Sequence, residues 1–193
     1  MKRFAGAAAV FALAIAAAPP ALGQVRAFDV QHSTLTVHVH KQGVFSFLAD
    51  EHEISAPIAS GSFDDVSKVV MLTVDAAKTR VLDPKLPAQK REAVQTNMAG
   101  PQVLDVQAHP TIAFHSTSLD DSDPQHWTLT GALELHGQTH PIVVRLSKAD
   151  ATHFKGSATI HQSAFGIAPI KIAGGAVSVK DDVDIVFDIA LTP

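Results

Sequence analysis

The sequence predicts an all-β fold: an antiparallel barrel of roughly eight strands with one short helical excursion at about 85–100. Three observations carry this. Segment after segment alternates apolar and polar residues with period two, the mark of a strand with one face buried. Turn signals separate those segments at Asp120 to Pro124, His136-Gly137 and Gly174-Gly175. A single stretch collects good helix formers instead. Hydrophobic residues make up 46% of the 193 positions and charged residues 18%, enough for one folded core and too apolar for disorder.

In chain order, the first segment is a leader. Met1-Lys2-Arg3 is positive, residues Phe4 to Ala18 are apolar or Gly, and Ala21-Leu22-Gly23 places small residues before a cut at Gln24. This is the pattern of a secretory signal peptide over residues 1–23. The run is shorter than the ~20 residues a spanning helix needs, and Pro19-Pro20 would break such a helix. The mature domain would be 24–193. It would lose Lys2 and Arg3, moving the formal charge from −4 to −6. The expected address is periplasmic in a Gram-negative cell and secreted otherwise, with no stable membrane span after cleavage.

The strands follow. Leu35, Val37 and Val39 alternate with Thr36, His38 and His40, and Val70, Leu72 and Val74 with Val69, Met71 and Thr73. Between Lys85 and Gly100, residues Ala88, Lys90, Arg91, Glu92, Ala93 and Met98 favour a helix that Gly100-Pro101 would stop. Ile112 and Phe114 open the next strand. Leu129, Gly131, Leu133 and Leu135 share a face, as do Ile142, Val144 and Leu146. The last two sets are Phe154, Gly156, Ala158 and Ile160, then Val183, Ile185, Phe187, Ile189 and Leu191. Sheet closure would remove the exposed edges. The inward set also holds the small residues Gly131, Gly156, Ala158 and Ala76. An eight-stranded barrel is the size at which such residues either leave a lumen or relieve crowding in a filled core. Periodicity leaves both open, but the inward sets carry no charge, so any ligand would be apolar.

Several functions are excluded. A mildly acidic chain lacks the basic footprint of a nucleic-acid binder. The absence of Cys rules out disulfides, a Cys nucleophile, thiolate zinc and iron–sulfur clusters. There is no phosphate-binding glycine loop and no Gly-x-Ser-x-Gly elbow. Asp29, His32 and Ser33 do not make a triad, because adjacent strand positions face opposite sides. Asp64-Asp65, Asp120-Asp121 and Asp181-Asp182 read as solvated residues at turns or strand starts. Hence no enzyme activity and no cofactor is expected. Eleven histidines remain. His38 and His40 share one side of a strand and, with His52, are the candidates for a zinc or copper site. The competing reading puts His38 and His40 on the solvated face, because Leu35, Val37 and Val39 claim the core, and leaves no metal. His115, His136, His140 and His161 read as surface residues.

Three stretches carry a resemblance. The first is Phe28-Asp29-Val30-Gln31-His32-Ser33-Thr34-Leu35 with Gly43-Val44-Phe45-Ser46-Phe47 and Gly61-Ser62-Phe63. The second is Val103-Leu104-Asp105 with His109-Pro110-Thr111-Ile112-Ala113-Phe114-His115-Ser116-Thr117. The third is Gly131 to Ile142 with Ser163-Ala164-Phe165-Gly166-Ile167. In this order the chain resembles the YceI-like family of lipid- and polyisoprenoid-binding proteins, over about Phe28 to Leu191. The resemblance implies a lipocalin-like barrel with a long apolar tunnel. It implies an exported carrier for a polyisoprenoid, an isoprenoid quinone or a fatty amphiphile, serving transport, storage or stress response.

Together, the inward pattern and the family-like motifs place the tunnel wall at Leu35, Val37, Phe45, Phe47, Phe63, Leu72, Phe114, Leu133, Phe165 and Ile167. An anionic head group would meet Lys41 or Lys171 near strand ends. There are departures: Gln162 stands where the family often has Arg, Ala164 where Asp is common, and Lys90-Arg91-Glu92-Ala93-Val94 replaces the family's charged helix start. The rival readings are a histidine metal protein and a structural or stress barrel without a specific ligand. A homodimer that seals a mouth or pairs an edge is left open.

Overall fold

The computed structural model describes residues 24–43, 51–172 and 176–192. The expected leader, Phe45, Phe47 and Gly174-Gly175 lie outside the described residues. Among the described residues twelve strands form one sheet, antiparallel at every pairing. They are β1 (Val25–Ala27), β2 (Thr34–Gln42), β3 (His52–Ser55), β4 (Ile58–Asp64), β5 (Val70–Asp75), β6 (Arg80–Val81), β7 (Thr111–Asp120), β8 (His126–Leu135), β9 (Gln138–Lys148), β10 (His153–His161), β11 (Lys171–Ile172) and β12 (Val177–Ala190). Among the described residues one α-helix, α1 (Ala88–Ala99), interrupts them.

Twelve strands make eight passes of the chain, because three passes are bent. β1 and β2 are one strand broken at residues 28–33. β3 and β4 are broken at Ala56-Pro57, where Pro has no N–H to give a ladder. β5 and β6 are broken by a 3-10 turn at Ala76–Lys78. β11 is a side strand paired to β12. β12 pairs with β10 on one side and β2 on the other. Its last residues run on to bridge Leu191 to Phe28. The ring therefore closes, and the expected barrel of about eight antiparallel strands is what forms. The sequence pattern had not marked β1, β3, β4, β6 or β11, which are short, broken or rich in small polar residues.

Details of the expectation change. Ala76 is buried at 1% exposure, but it opens the 3-10 turn rather than lying on a strand. The helix is narrower than 85–100. Gly100 does end it, with φ −75°, so in extended rather than left-handed backbone. Asp181-Asp182 sit inside β12, at the register shift between Val179 and Val183, and not at a strand start. In β7 a shift between Ser116 and Ser118 reverses the alternation, so Leu119 rather than Ser118 faces inward with Phe114. The His136-Gly137 turn is as expected: both residues have positive φ, 51° and 70°, the backbone of a tight hairpin.

The glycines do not leave gaps. A Cβ on Gly61 would lie 2.2 Å from the Phe28 ring, one on Gly131 2.6 Å from Phe114, and one on Gly156 2.5 Å from Phe187. Each ring sits close against a bare glycine, where a Cβ would displace it. The rings therefore line the barrel rather than crossing it.

Candidate ligand cavity

The inward faces enclose a cavity of about 250 Å³. Its wall draws on every pass: Leu35, Val37 and Val39 from β2, Ile54 from β3, Phe63 from β4, Leu72 and Val74 from β5, and Phe114 from β7. It continues with Leu129, Leu133 and Leu135 from β8, Val144 and Leu146 from β9, Phe154 and Ile160 from β10, and Ile185 and Phe187 from β12. Among the described residues, only Thr79 and Gln162 bring hydroxyl or amide groups, and no charged residue contributes. Period-two alternation causes this: one face of each strand is apolar, and closure turns all those faces together. From Trp127 to Leu135 the wall runs roughly 26 Å along β8 at about 3.3 Å per residue. At a strand tilt of about 40° that is roughly 20 Å along the axis. The cavity is long, narrow and apolar.

The two ends differ. At one end the Trp127 ring lies 5.2 Å from Phe154 and 6.2 Å from Phe63. Lys148 Nζ sits 5.6 Å from the centre of the Trp127 ring, and the Arg26 guanidinium 5.6 Å from that of Phe63. Arg26 also ties the strands across this end, donating to the Ala151 carbonyl at 3.0 Å and to Asp65 at 2.9 Å. The other end is bordered by α1, by the turn at 100–110 and by the 3-10 turn Gln162–Phe165. Met98, Val103 and Leu104 reach the cavity from there. Gln162 is 9% exposed, and its Nε2 donates to the Lys180 carbonyl at 2.6 Å. Asp181 accepts from the Ser163 hydroxyl at 2.6 Å and its N–H at 2.8 Å. These bonds, the hydroxyl first, hold the Asp181 carboxyl below the usual carboxylate range. This chain thus braces its rim with Gln162 and Asp181, while Ala164 is exposed.

Of the expected wall residues, Leu35, Val37, Phe63, Leu72, Phe114, Leu133 and Ile167 all line the cavity. Phe165 does not. It is 1% exposed, and the 3-10 turn aims its ring at His140, edge to face at 5.2 Å. Phe45 and Phe47 lie outside the described residues. Phe28, Trp127, Met98, Val103 and Leu104 are wall residues that alternation did not reveal; Trp127, two positions before Leu129, was the most legible. Lys41 pairs in register with Val179, and Lys171 with Ser178. The two cations therefore flank β12 at the end opposite the aromatic stack.

The histidines of the metal alternative do not converge. His38 and His40 lie on the outer face, where His40 Nε2 meets Asp184 at 3.0 Å. The Thr159 hydroxyl and then His40 lower the Asp184 carboxyl. His52 is opposite Val39 in the ladder, so it points to the other side. There its Nδ1 bonds Asp83, 7% exposed, at 2.6 Å. Among the described residues these three form no metal-holding group. His136 and His140, expected on the surface, are half-buried. No described helix is long and apolar enough to cross a membrane.

A family model described as "YceI-like domain" matches residues 27–191. The crystal structure of Burkholderia cenocepacia BcnA is similar in fold. It is 21% identical, aligns over 86% of this chain and 99% of that chain, and has a TM-score of 0.58. A Campylobacter jejuni YceI protein aligns at 17% identity over 79% of this chain and 84% of its own, with a TM-score of 0.48. No curated protein matches the chain.

Proposed function

Because this chain belongs to the YceI-like domain family, we propose that it holds one elongated apolar chain, of the polyisoprenoid, isoprenoid-quinone or fatty-amphiphile class, inside the barrel. The family is a polyisoprenoid-binding family of binding proteins rather than enzymes. The observation that carries the reading is the uncharged cavity running the length of the barrel. A compact ligand would leave much of such a wall unsatisfied, whereas a flexible apolar tail covers it.

The energetics set a minimum length. Burial contributes about 0.8 kcal/mol per CH2-sized group. Association costs at least ~4 kcal/mol before side-chain and tail ordering. About ten such groups leave only about 4 kcal/mol, a millimolar affinity. A tail of about fifteen groups, leaving about 8 kcal/mol before ordering, is therefore the shortest that binds with micromolar affinity, and each further isoprene unit strengthens it. The tail enters first and stops at the Trp127–Phe154 stack. The head group stays at the opposite rim, where Lys41 and Lys171 favour an anion or a polar ring. Specificity then rests on length and shape.

We further propose that the protein is exported, with residues 1–23 removed; the leader's composition supports this. N-terminal sequencing of the protein recovered from its own cell should begin at Gln24.

The central test is native mass spectrometry of that protein beside an organic extract of the same sample. The expected result is one isoprenoid or fatty species per chain. An empty protein that also ignores added isoprenoids refutes the carrier reading. The same spectrum decides between a monomer and a homodimer. Leu133→Trp, which fills the lumen, should lower binding of an added isoprenoid at least tenfold in a folded chain.

A further inference from the structure

We propose that Asp105, His109 and His136 bind one divalent transition-metal ion of the zinc class beside the rim of the barrel. One ligand atom from each residue lies within 4.8 Å of the others, and all three residues are half-buried. Two come from the turn after α1 and one from the β8–β9 hairpin, so the site joins elements remote in sequence.

The backbone fixes the ligands. Asp105 N–H donates to the Gly100 carbonyl at 2.9 Å, and His109 N–H to the Asp105 carbonyl at 2.7 Å. Asp105 and His136 both have positive φ, 43° and 51°, a conformation that Asp, Asn and His tolerate best among residues with a Cβ. The His109 ring lies on Gly137, where a Cβ would fall 2.5 Å from its Cε1. That bare glycine lets the ring approach His136, edge to face with centroids 5.3 Å apart.

The protonation pattern suits a metal. His136 Nδ1 lies 3.1 Å from the Phe165 carbonyl. A carbonyl can only accept, so Nδ1 carries the hydrogen and Nε2 keeps the lone pair. Ligating histidines usually have such a partner on their second nitrogen, and it sets tautomer and ring direction. Two imidazole nitrogens and one carboxylate oxygen suit zinc, cobalt, nickel or copper. Calcium and magnesium prefer all-oxygen sets. Three protein ligands at about 2.0–2.2 Å leave a fourth tetrahedral position for water. Ligation would pin the turn that carries Val103 and Leu104 of the cavity wall to the β8–β9 hairpin.

The test is calorimetric titration of the metal-stripped protein with zinc chloride at neutral pH, beside thermal melts. The expected result is one zinc per chain and a raised melting temperature. Asp105→Asn, His109→Gln and His136→Asn each remove a ligand and should weaken zinc by more than the roughly tenfold that loss of an outer partner brings, with a correspondingly smaller thermal shift. Asn keeps the left-handed backbone at 105 and 136, so these variants should melt near the wild type without zinc. A His38→Gln/His40→Gln variant should retain wild-type affinity. The proposal is overturned if the folded protein takes no stoichiometric zinc, if the three single variants keep full affinity, or if only the His38/His40 variant loses it.

Discussion

The contact between Phe28 and Gly61 offers a sharp test of how the wall is built. A Cβ at residue 61 would stand 2.2, 2.6 and 2.8 Å from three atoms of the Phe28 ring, with nothing else among its three nearest neighbours. Ordinary contact begins at 3.4 Å, so in Gly61→Ala the ring must retreat by more than an ångström. Phe28 is 8% exposed and packed in the core cluster. It is also anchored by its N–H to the Gly61 carbonyl at 2.9 Å and its bridge to Leu191. Overpacking of this kind costs about 1–3 kcal/mol. With a urea m-value of about 2 kcal/mol/M, the midpoint should fall by roughly 0.5–1.5 M. Phe28→Ala alone should cost about 3–5 kcal/mol through the cavity it leaves. In that background Gly61→Ala meets no ring and becomes neutral or slightly stabilising, since alanine narrows the unfolded ensemble. The double-mutant cycle should therefore return a coupling of about 1–3 kcal/mol. The single tryptophan, Trp127, reports unfolding from the same end of the barrel. If Gly61→Ala is as stable as the parent, or its cost persists without the ring, the seating argument fails.

Further outcomes follow from the same structure. Asp150 accepts the Thr152 N–H at 2.7 Å and also bonds His153, so its carboxyl is pulled down to about 2; Asp29, Asp64, Asp120, Asp123, Asp181 and Asp184 are lowered too. Lowered carboxylates stabilise the fold fully above their unfolded value near 3.8 and lose that contribution as pH falls through their folded values, which for Asp150 is about 2. Acid denaturation curves should steepen in that window, less so in Asp150→Asn. Asp83→Ala removes the acceptor for both His52 Nδ1 and the Glu53 N–H; chemical denaturation should register a loss of about 1–3 kcal/mol. Ser116→Ala strips the Val70 N–H of its 2.7 Å acceptor at a site 1% exposed and should cost a similar amount, with hydrogen exchange quickened at Val70.

The fold was legible wherever one face of a strand is continuously apolar. Leu129, Leu133 and Leu135, or Val183 to Leu191, point inward because period two leaves them no other choice. β3 and β4 were hidden, since Ala56-Pro57 breaks the strand and Ser60, Gly61 and Ser62 carry no apolar signal. Their place comes from pairing with β2 and β5. The cavity itself was less legible. The inward Gly131 and Gly156 suggested room, yet each faces a ring that fills it, and the space lies beyond the rings. Phe165 was placed on the wall from a family-like motif and not from alternation; the 3-10 turn Gln162–Phe165 directs its ring at His140 instead. The Asp105, His109 and His136 cluster was invisible, since no spacing along the chain announces a contact between a post-helical turn and a hairpin.

The seam between β2 and β12 has a consequence for how the molecule comes into being. Val37 and Ile185 pair across it, so the ring closes through residues 148 positions apart. Neighbouring hairpins such as β8–β9 need only local encounters; this pairing must wait for nearly the whole chain and carries the largest loop-closure entropy. The barrel is therefore completed at the end of folding rather than grown steadily from its start. Until β12 arrives, β2 and β10 are both open edges able to recruit a strand from another chain. A chain cut short before Val177 would be an unclosed sheet, with aggregation as its readiest exit.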